Sequence, residues 1–194
     1  MKIMSVKHQF ENWIKHLQKL KLPVAEMLLP GLDERYIRHA IGEIGLECSE
    51  ELIEFYGYCG GVGAPKEALL NHMWMYGSHY VLPFDQAIGN YKIFRTDSRW
   101  DKSWFPILSN DGGDFYSLGS RSDLNNWGKI TYFMLGSGKG PEIRYSSLFN
   151  MLTVINECFD SGICFVDDQG DLATKFLEAS VVAMNHNSEL PYYQ

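Results

Sequence analysis

The sequence predicts an α+β domain in which a central, curved antiparallel sheet is packed with helices. Three observations carry that expectation. Apolar residues recur at helical spacing over residues 8–56 and again after residue 147. Between those regions lie short β-rich runs punctuated by Gly-, Asn-, Asp- and Ser-rich turns. Runs joined by such short loops favour an antiparallel meander, and helices must then cover it. The 194 residues fit a single domain spanning 1–194, with no repeat and no convincing linker. A chain this long buries roughly 70% of its unfolded surface, so it folds without a disulfide or metal staple.

A first helix is expected over residues 8–20. Phe10, Trp13, Ile14, Leu17 and Leu20 form its apolar stripe, while Lys15, Gln18 and Lys19 face away. Residues 28–31, Leu-Leu-Pro-Gly, break the chain. Asp33 then caps a second helix carrying Ile37, Ala40, Ile41 and Ile44 inward, which Gly45 ends. Ser49 caps a third helix, with Glu50 and Glu51 in the first turn, where the macrodipole favours anions. Gly60, Gly61, Gly63 and Pro65 close it and open a loop. Residues 80–82 read as a strand closed by Pro83, followed by a short helix from Asp85 to about Arg95. Runs at 104–108, 114–118 and 129–135 form the meander, with Glu142–Tyr145 as an edge strand. Ser146 or Ser147 caps a helix bearing Leu148, Leu152, Ile155 and Phe159, which Ser161-Gly162 terminates. A brief strand over 163–166 turns through Asp167-Asp168-Gln169-Gly170 into a last helix over 172–184. Residues 187–194 read as a loose tail.

Composition narrows the function. Seventeen basic against 24 acidic side chains give a net charge of −7. A phosphate-backbone binder needs clustered Lys and Arg, so nucleic acid is not an expected partner, and an anionic membrane surface is disfavoured too. The excess acid suits a basic partner or simple solubility. The four cysteines show no C-x-x-C spacing and no ligand-like pattern with histidines. They read as free thiols in a reducing compartment, which together with the absence of a signal-like or membrane-spanning stretch gives a cytoplasmic expectation.

No catalytic, cofactor or metal constellation emerges. Asn110-Asp111-Gly112-Gly113-Asp114 sets two carboxylates three apart, but the pattern of a calcium loop is missing, and a tight turn accounts for it. Gly60-Gly61-x-Gly63 and Ser137-Gly138-Lys139-Gly140 lack the spacing of phosphate loops and read as loops. There is no G-x-S-x-G elbow. Aromatic residues make up 14% of the chain, a high fraction that marks a dense core, an adhesive surface, or both. Trp13 belongs to a helical core stripe. Trp100 and Trp104 sit among Arg99, Asp101 and Lys102, the company of an exposed hot spot, although packing of Trp104 under the sheet is the alternative.

Several stretches, in order, carry a resemblance to one known superfamily. They are Leu29-Pro30-Gly31-Leu32, Cys48-Ser49-Glu50-Glu51-Leu52-Ile53-Glu54-Phe55-Tyr56 and Tyr80-Val81-Leu82-Pro83-Phe84-Asp85-Gln86-Ala87. Trp104-Phe105-Pro106-Ile107-Leu108 with Asn110–Tyr116 is the most specific, and Ser147-Leu148-Phe149, Glu157-Cys158-Phe159 and Ser161-Gly162 complete the set. Together they resemble the SUKH superfamily of fungal glucan-synthesis regulators and bacterial immunity proteins, over about 28–165. The resemblance implies a curved sheet, no catalytic residues and a protein-binding role, in bacteria the neutralisation of a toxin. The candidate partner contacts are Trp100, Asp101, Trp104, Asp111, Asp114 and Tyr116, grouped around one sheet edge. A regulatory or scaffolding domain for cell-wall glucan synthesis is the alternative. A hydrolase using Asp111 and Asp114 ranks behind it.

Overall fold

The computed structural model describes residues 5–138 and 140–194, so Lys139 of the Ser137–Gly140 segment lies outside the described residues. Helix α1 runs Val6–Lys19, with Ser5 accepting from the His8 N–H as N-cap. Its stripe of Phe10, Trp13 and Leu17 is fully buried, as the periodicity requires. The Trp13 indole donates to the Met75 carbonyl at 3.0 Å. Strand β1 (Leu28–Pro30) leads to α2 (Glu34–Glu43), capped by Asp33, and then α3 (Glu50–Tyr58), capped by Ser49.

The glycines after α3 are not a loop. Cys59–Val62 form strand β2, antiparallel to β1. Glycine is what the pairing needs there. A Cβ on Gly60 would stand 2.7 Å from the Pro30 carbonyl oxygen. Gly61 has φ +111°, and its Cβ would meet the Leu82 carbonyl at 2.5 Å.

The central sheet is a five-stranded antiparallel meander in the order β3 (Tyr80–Val81), β4 (Trp104–Ser109), β5 (Phe115–Gly119), β6 (Ile130–Phe133), β7 (Glu142–Tyr145). Helix α4 (Phe84–Phe94) joins its first two strands. The register slips between Pro106 and Leu108 and between Ile130 and Thr131, irregularities of the kind that bend a sheet. One face carries Phe105 against Tyr56 and Phe84. The other carries Phe115 and Phe133 under Phe94 and Trp100, with ring centroids 4.7–6.0 Å apart.

Helix α5 (Leu148–Asp160) sits beneath the sheet and buries Leu148, Met151, Leu152, Val154, Ile155 and Cys158 completely. Two polar devices place it. Glu51 of α3 accepts from the Leu148 and Phe149 amides at its start (2.9 and 3.4 Å). Asn156 donates to the Gln9 backbone and side-chain oxygens of α1 (2.9 and 2.7 Å).

The C-terminal region departs from the sequence expectation. Leu172 does not open a helix. Strand β8 (Cys164–Val166) pairs with β9 (Leu172–Thr174), and α6 spans Phe176–His186. Leu172 and Phe176, four apart, mimic a helical stripe, but Leu172 lies opposite Val166 across a hairpin. The expected tail is also tied down. Asn187 is fully buried, accepts from the Ser146 N–H at 2.9 Å and donates to the Ala183 carbonyl at 2.9 Å. Leu190 is buried, and Pro191–Tyr193 makes a 3₁₀ turn. Among the described residues no helix is long and apolar enough to cross a membrane.

Asn187→Ala removes the bond that ties the end of α6 to Ser146, just before α5, and the one that closes α6 at the Ala183 carbonyl. Urea denaturation should show a loss of about 1–3 kcal/mol with an unchanged m-value. No shift in midpoint would mean that the C-terminal residues do not hold α6.

Candidate functional site

Cross-strand register builds the floor of a cleft. Tyr116 on β5 and Tyr132 on β6 are Cα partners, so both rings stand on one face, stacked at 4.6 Å and 30°. Tyr145 of β7 lies 6.2 Å from Tyr116. A tight turn pairs Tyr76 with His79 and brings the imidazole edge-on to Tyr116 (5.0 Å) and Tyr132 (5.6 Å). The opposite wall is α6, where Ala179 and Ala183 are small enough to leave space, with Phe176 and Ser180 beside them. The enclosed volume is about 330 Å³.

Arg144 reaches into this cleft already paired. Its Nε and Nη2 donate to Glu142 Oε2 at 3.1 and 2.6 Å, and the guanidinium lies 3.6 Å from the centre of the Tyr192 ring. The pair cancels its own charge. Burial pushes the His79 imidazole down to about 4, so it is neutral near pH 7. Its Nε2 has no hydrogen-bond partner among the described residues. Burial also raises the phenols of Tyr76 and Tyr116, and pushes Tyr132 up to about 12, so all stay protonated. The cleft is therefore lined with aromatic rings, uncharged in sum and rich in hydroxyls.

Outside the cleft, α6 is apolar where it meets solvent. Leu177 is 87% exposed, Phe176 67%, Val181 51% and Met184 40%, and Tyr192 adds its ring at 39%. Residues 177, 181 and 184 form one stripe at i, i+4, i+7, while Ala179, Val182 and Ala183 pack inward. A helix apolar on both faces is normally covered on both.

The expected contact residues do not share one surface, and β4 and β5 are inner strands; the meander's edges are β3 and β7. Trp100 and Trp104 are 4% and 7% exposed and pack edge-to-face at 5.7 Å, which removes both indoles from any contact surface. Asp101 is exposed before β4 and accepts from the Ser103 amide and hydroxyl (2.8 and 2.7 Å). Asp111 and Asp114 lie at the other end of that strand, in the β4–β5 turn. Asp111 takes φ +59° and accepts from the Tyr80 hydroxyl at 2.6 Å. Asp114 accepts from Asn110 and from the Leu135 amide (2.9 and 3.0 Å). Tyr116 alone of the six lines the cleft, and the Asp111–Asp114 turn stands at the same end of the sheet, since Tyr80, Ser109 and Phe115 share one row of the register. Among the described residues, no three His, Cys, Asp or Glu side chains gather as a metal site.

The order of elements from α2 to β9 has a counterpart among known families. Residues 31–176 match the SMI1 / KNR4 family (SUKH-1) model. The chain belongs to the SMI1 / KNR4 family. No curated protein matches it. The SUKH-1 stretch contains α2 through β9, whereas α1 and all of α6 beyond Phe176 fall outside it. The wall of the cleft built by α6 beyond Phe176, and the exposed stripe that follows, lie outside the matched residues. Sequence reading missed them, although Phe176–Met184 carries a single charge in a helix that ends near the surface, and that was a legible signal.

His79 generates a pH dependence. Its folded value lies below the ordinary 6.5, so its contribution is fully present above pH 6.5 and is lost as pH falls towards about 4. Against His79→Phe, the native protein should lose up to about 3 kcal/mol more stability across that window. Parallel stability–pH curves for the two proteins would contradict a buried, neutral imidazole.

Proposed function

We propose that this SUKH-1 chain is a non-catalytic protein-binding module of the immunity type, acting in the cytoplasm by occluding a toxin with a basic surface. The observation that carries the reading is the apolar stripe of α6 beside the tyrosine cleft. Contiguous exposed apolar side chains on a small domain mark a contact site, and the outer sides of Leu177, Val181 and Met184 are left exposed by the described residues. Asp111 and Asp114 at the neighbouring end of the sheet supply negative charge, and the chain as a whole carries −7. Acidic groups at a rim steer a basic partner, while the apolar centre holds it. A non-catalytic role is supported by the cleft's chemistry: burial leaves its imidazole a weak base, its guanidinium is paired with Glu142, and its lining residues include no carboxylate or thiol to work beside them.

Tagged protein used as bait in its native cell should capture a partner that Leu177→Glu/Val181→Glu fails to capture, with circular dichroism showing both baits folded. Equal capture by the two baits, or substrate turnover by the purified chain, overturns the reading. With the captured partner purified, Asp111→Asn/Asp114→Asn should slow association several-fold at low salt. The difference should shrink as salt rises, because exposed charges are screened. An association rate indifferent to both salt and substitution would remove the electrostatic part.

A further inference from the structure

We infer that the cleft between the β5–β7 face and α6 receives one neutral, flat, hydrogen-bonding side chain of the partner, a tyrosine or a tryptophan. The inference rests on the protein-binding reading of the same surface and names what the partner must bring to it.

Charge selects against ions. The Arg144–Glu142 pair, closed at 2.6 Å, offers no net charge to an entering cation or anion. The remaining groups are phenols, a neutral imidazole and serine hydroxyls. Shape selects a ring. Tyr116, Tyr132 and Tyr145 line the cleft with aromatic rings, and Phe176 leans over Gly77, where a Cβ would come within 3.5 Å of its ring. Offset or edge-on packing against such walls rewards an aromatic guest. Polarity then selects a ring with a donor. An aliphatic side chain would leave the buried hydroxyls facing hydrocarbon, whereas a phenol O–H or indole N–H can meet one of them. A cavity of about 330 Å³ is at the small end for a bound ligand and fits a single side chain.

The occupant is a protein's side chain rather than a free small molecule because of the mouth. Phe176 lines the cleft and also begins the exposed row that continues through Leu177 and Val181. A small guest would leave that row in water, while a polypeptide anchored in the cleft covers it. Aromatic anchors seated in pockets and ringed by apolar contact are the usual centre of such interfaces.

The test titrates ¹⁵N-labelled protein with N-acetyl-tyrosinamide and N-acetyl-tryptophanamide, and in parallel with N-acetyl-leucinamide, N-acetyl-argininamide and acetate. The aromatic amides should shift the Gly77, Ser78 and Ser180 resonances at millimolar concentration, and the other three should need at least about tenfold more. Ala183→Phe fills the cleft and should abolish the shifts. Ser180→Trp, at an exposed position of the same wall, does so from the mouth if the first variant fails to fold. Equal shifts by the leucine amide, no shifts at the solubility limit, or shifts that persist in a folded, filled variant overturn the inference. Partner capture separates the two levels. Capture lost with Leu177→Glu but retained with Ser180→Trp defeats the aromatic anchor and leaves the protein-binding reading standing, and capture retained by both defeats the reading itself.

Discussion

The near-complete burial of α5 is the constraint on which the rest of the molecule depends. A helix with Leu148, Met151, Leu152, Val154, Ile155 and Cys158 all withdrawn from water needs neighbours on most of its circumference. The chain supplies them from α1, α3, α6 and the β7 end of the sheet. Burying so many large side chains also fixes their orientation, because a close-packed interior tolerates few alternatives. The polar groups at this helix are few and specific. Glu51 meets its first amides, and Asn156 clasps α1 through Gln9. Each keeps a backbone or side-chain polar group from being buried alone, and each fixes an angle of approach.

The cleft follows from that arrangement. Once α6 must lie along α5, its inner face can offer the sheet only Ala179, Val182 and Ala183, and the two alanines are too small to close the gap to Tyr116 and Tyr145. The outer face, with Leu177, Val181 and Met184, then points to solvent. The fold therefore leaves a hydroxyl-rich hollow and an uncovered apolar row side by side. Both arise where the SUKH-1 match ends, at Phe176. Segments at the margin of a shared fold are a natural place for partner choice, since they can change surface without disturbing the common core.

Much of this was legible in the sequence, for identifiable physical reasons. The stripe of Phe10, Trp13 and Leu17 repeats at helical spacing, and Asp33, Ser49 and Ser147 stand where helix starts need a side-chain acceptor. The meander was legible because Asn110–Asp114 and Gly119–Gly128 are dense in turn residues. Two local features misled. Gly60 and Gly61 look like a loop, yet they are glycine because β1 and the Leu82 carbonyl approach too closely for a Cβ. Leu172 and Phe176 imitate a helical period across a strand and its following turn. Trp100 and Trp104 were ambiguous, since their charged neighbours Asp101 and Lys102 face solvent while the indoles turn inward, Trp104 against Trp100 and Trp100 against Phe115 and Phe133. The cleft could not be read at all. Tyr76, Tyr116, Tyr132, Arg144 and Phe176 come from five separated segments that only the register of the sheet and the lie of α6 bring together.

Hydrogen–deuterium exchange on the chain alone and with its captured partner tests the docking surface most directly. Slowed exchange over residues 76–79 and 176–184, with residues 121–128 unchanged, is the expected result. Protection confined to 121–128 or to α2, with the cleft and α6 exchanging as in the free chain, would contradict it.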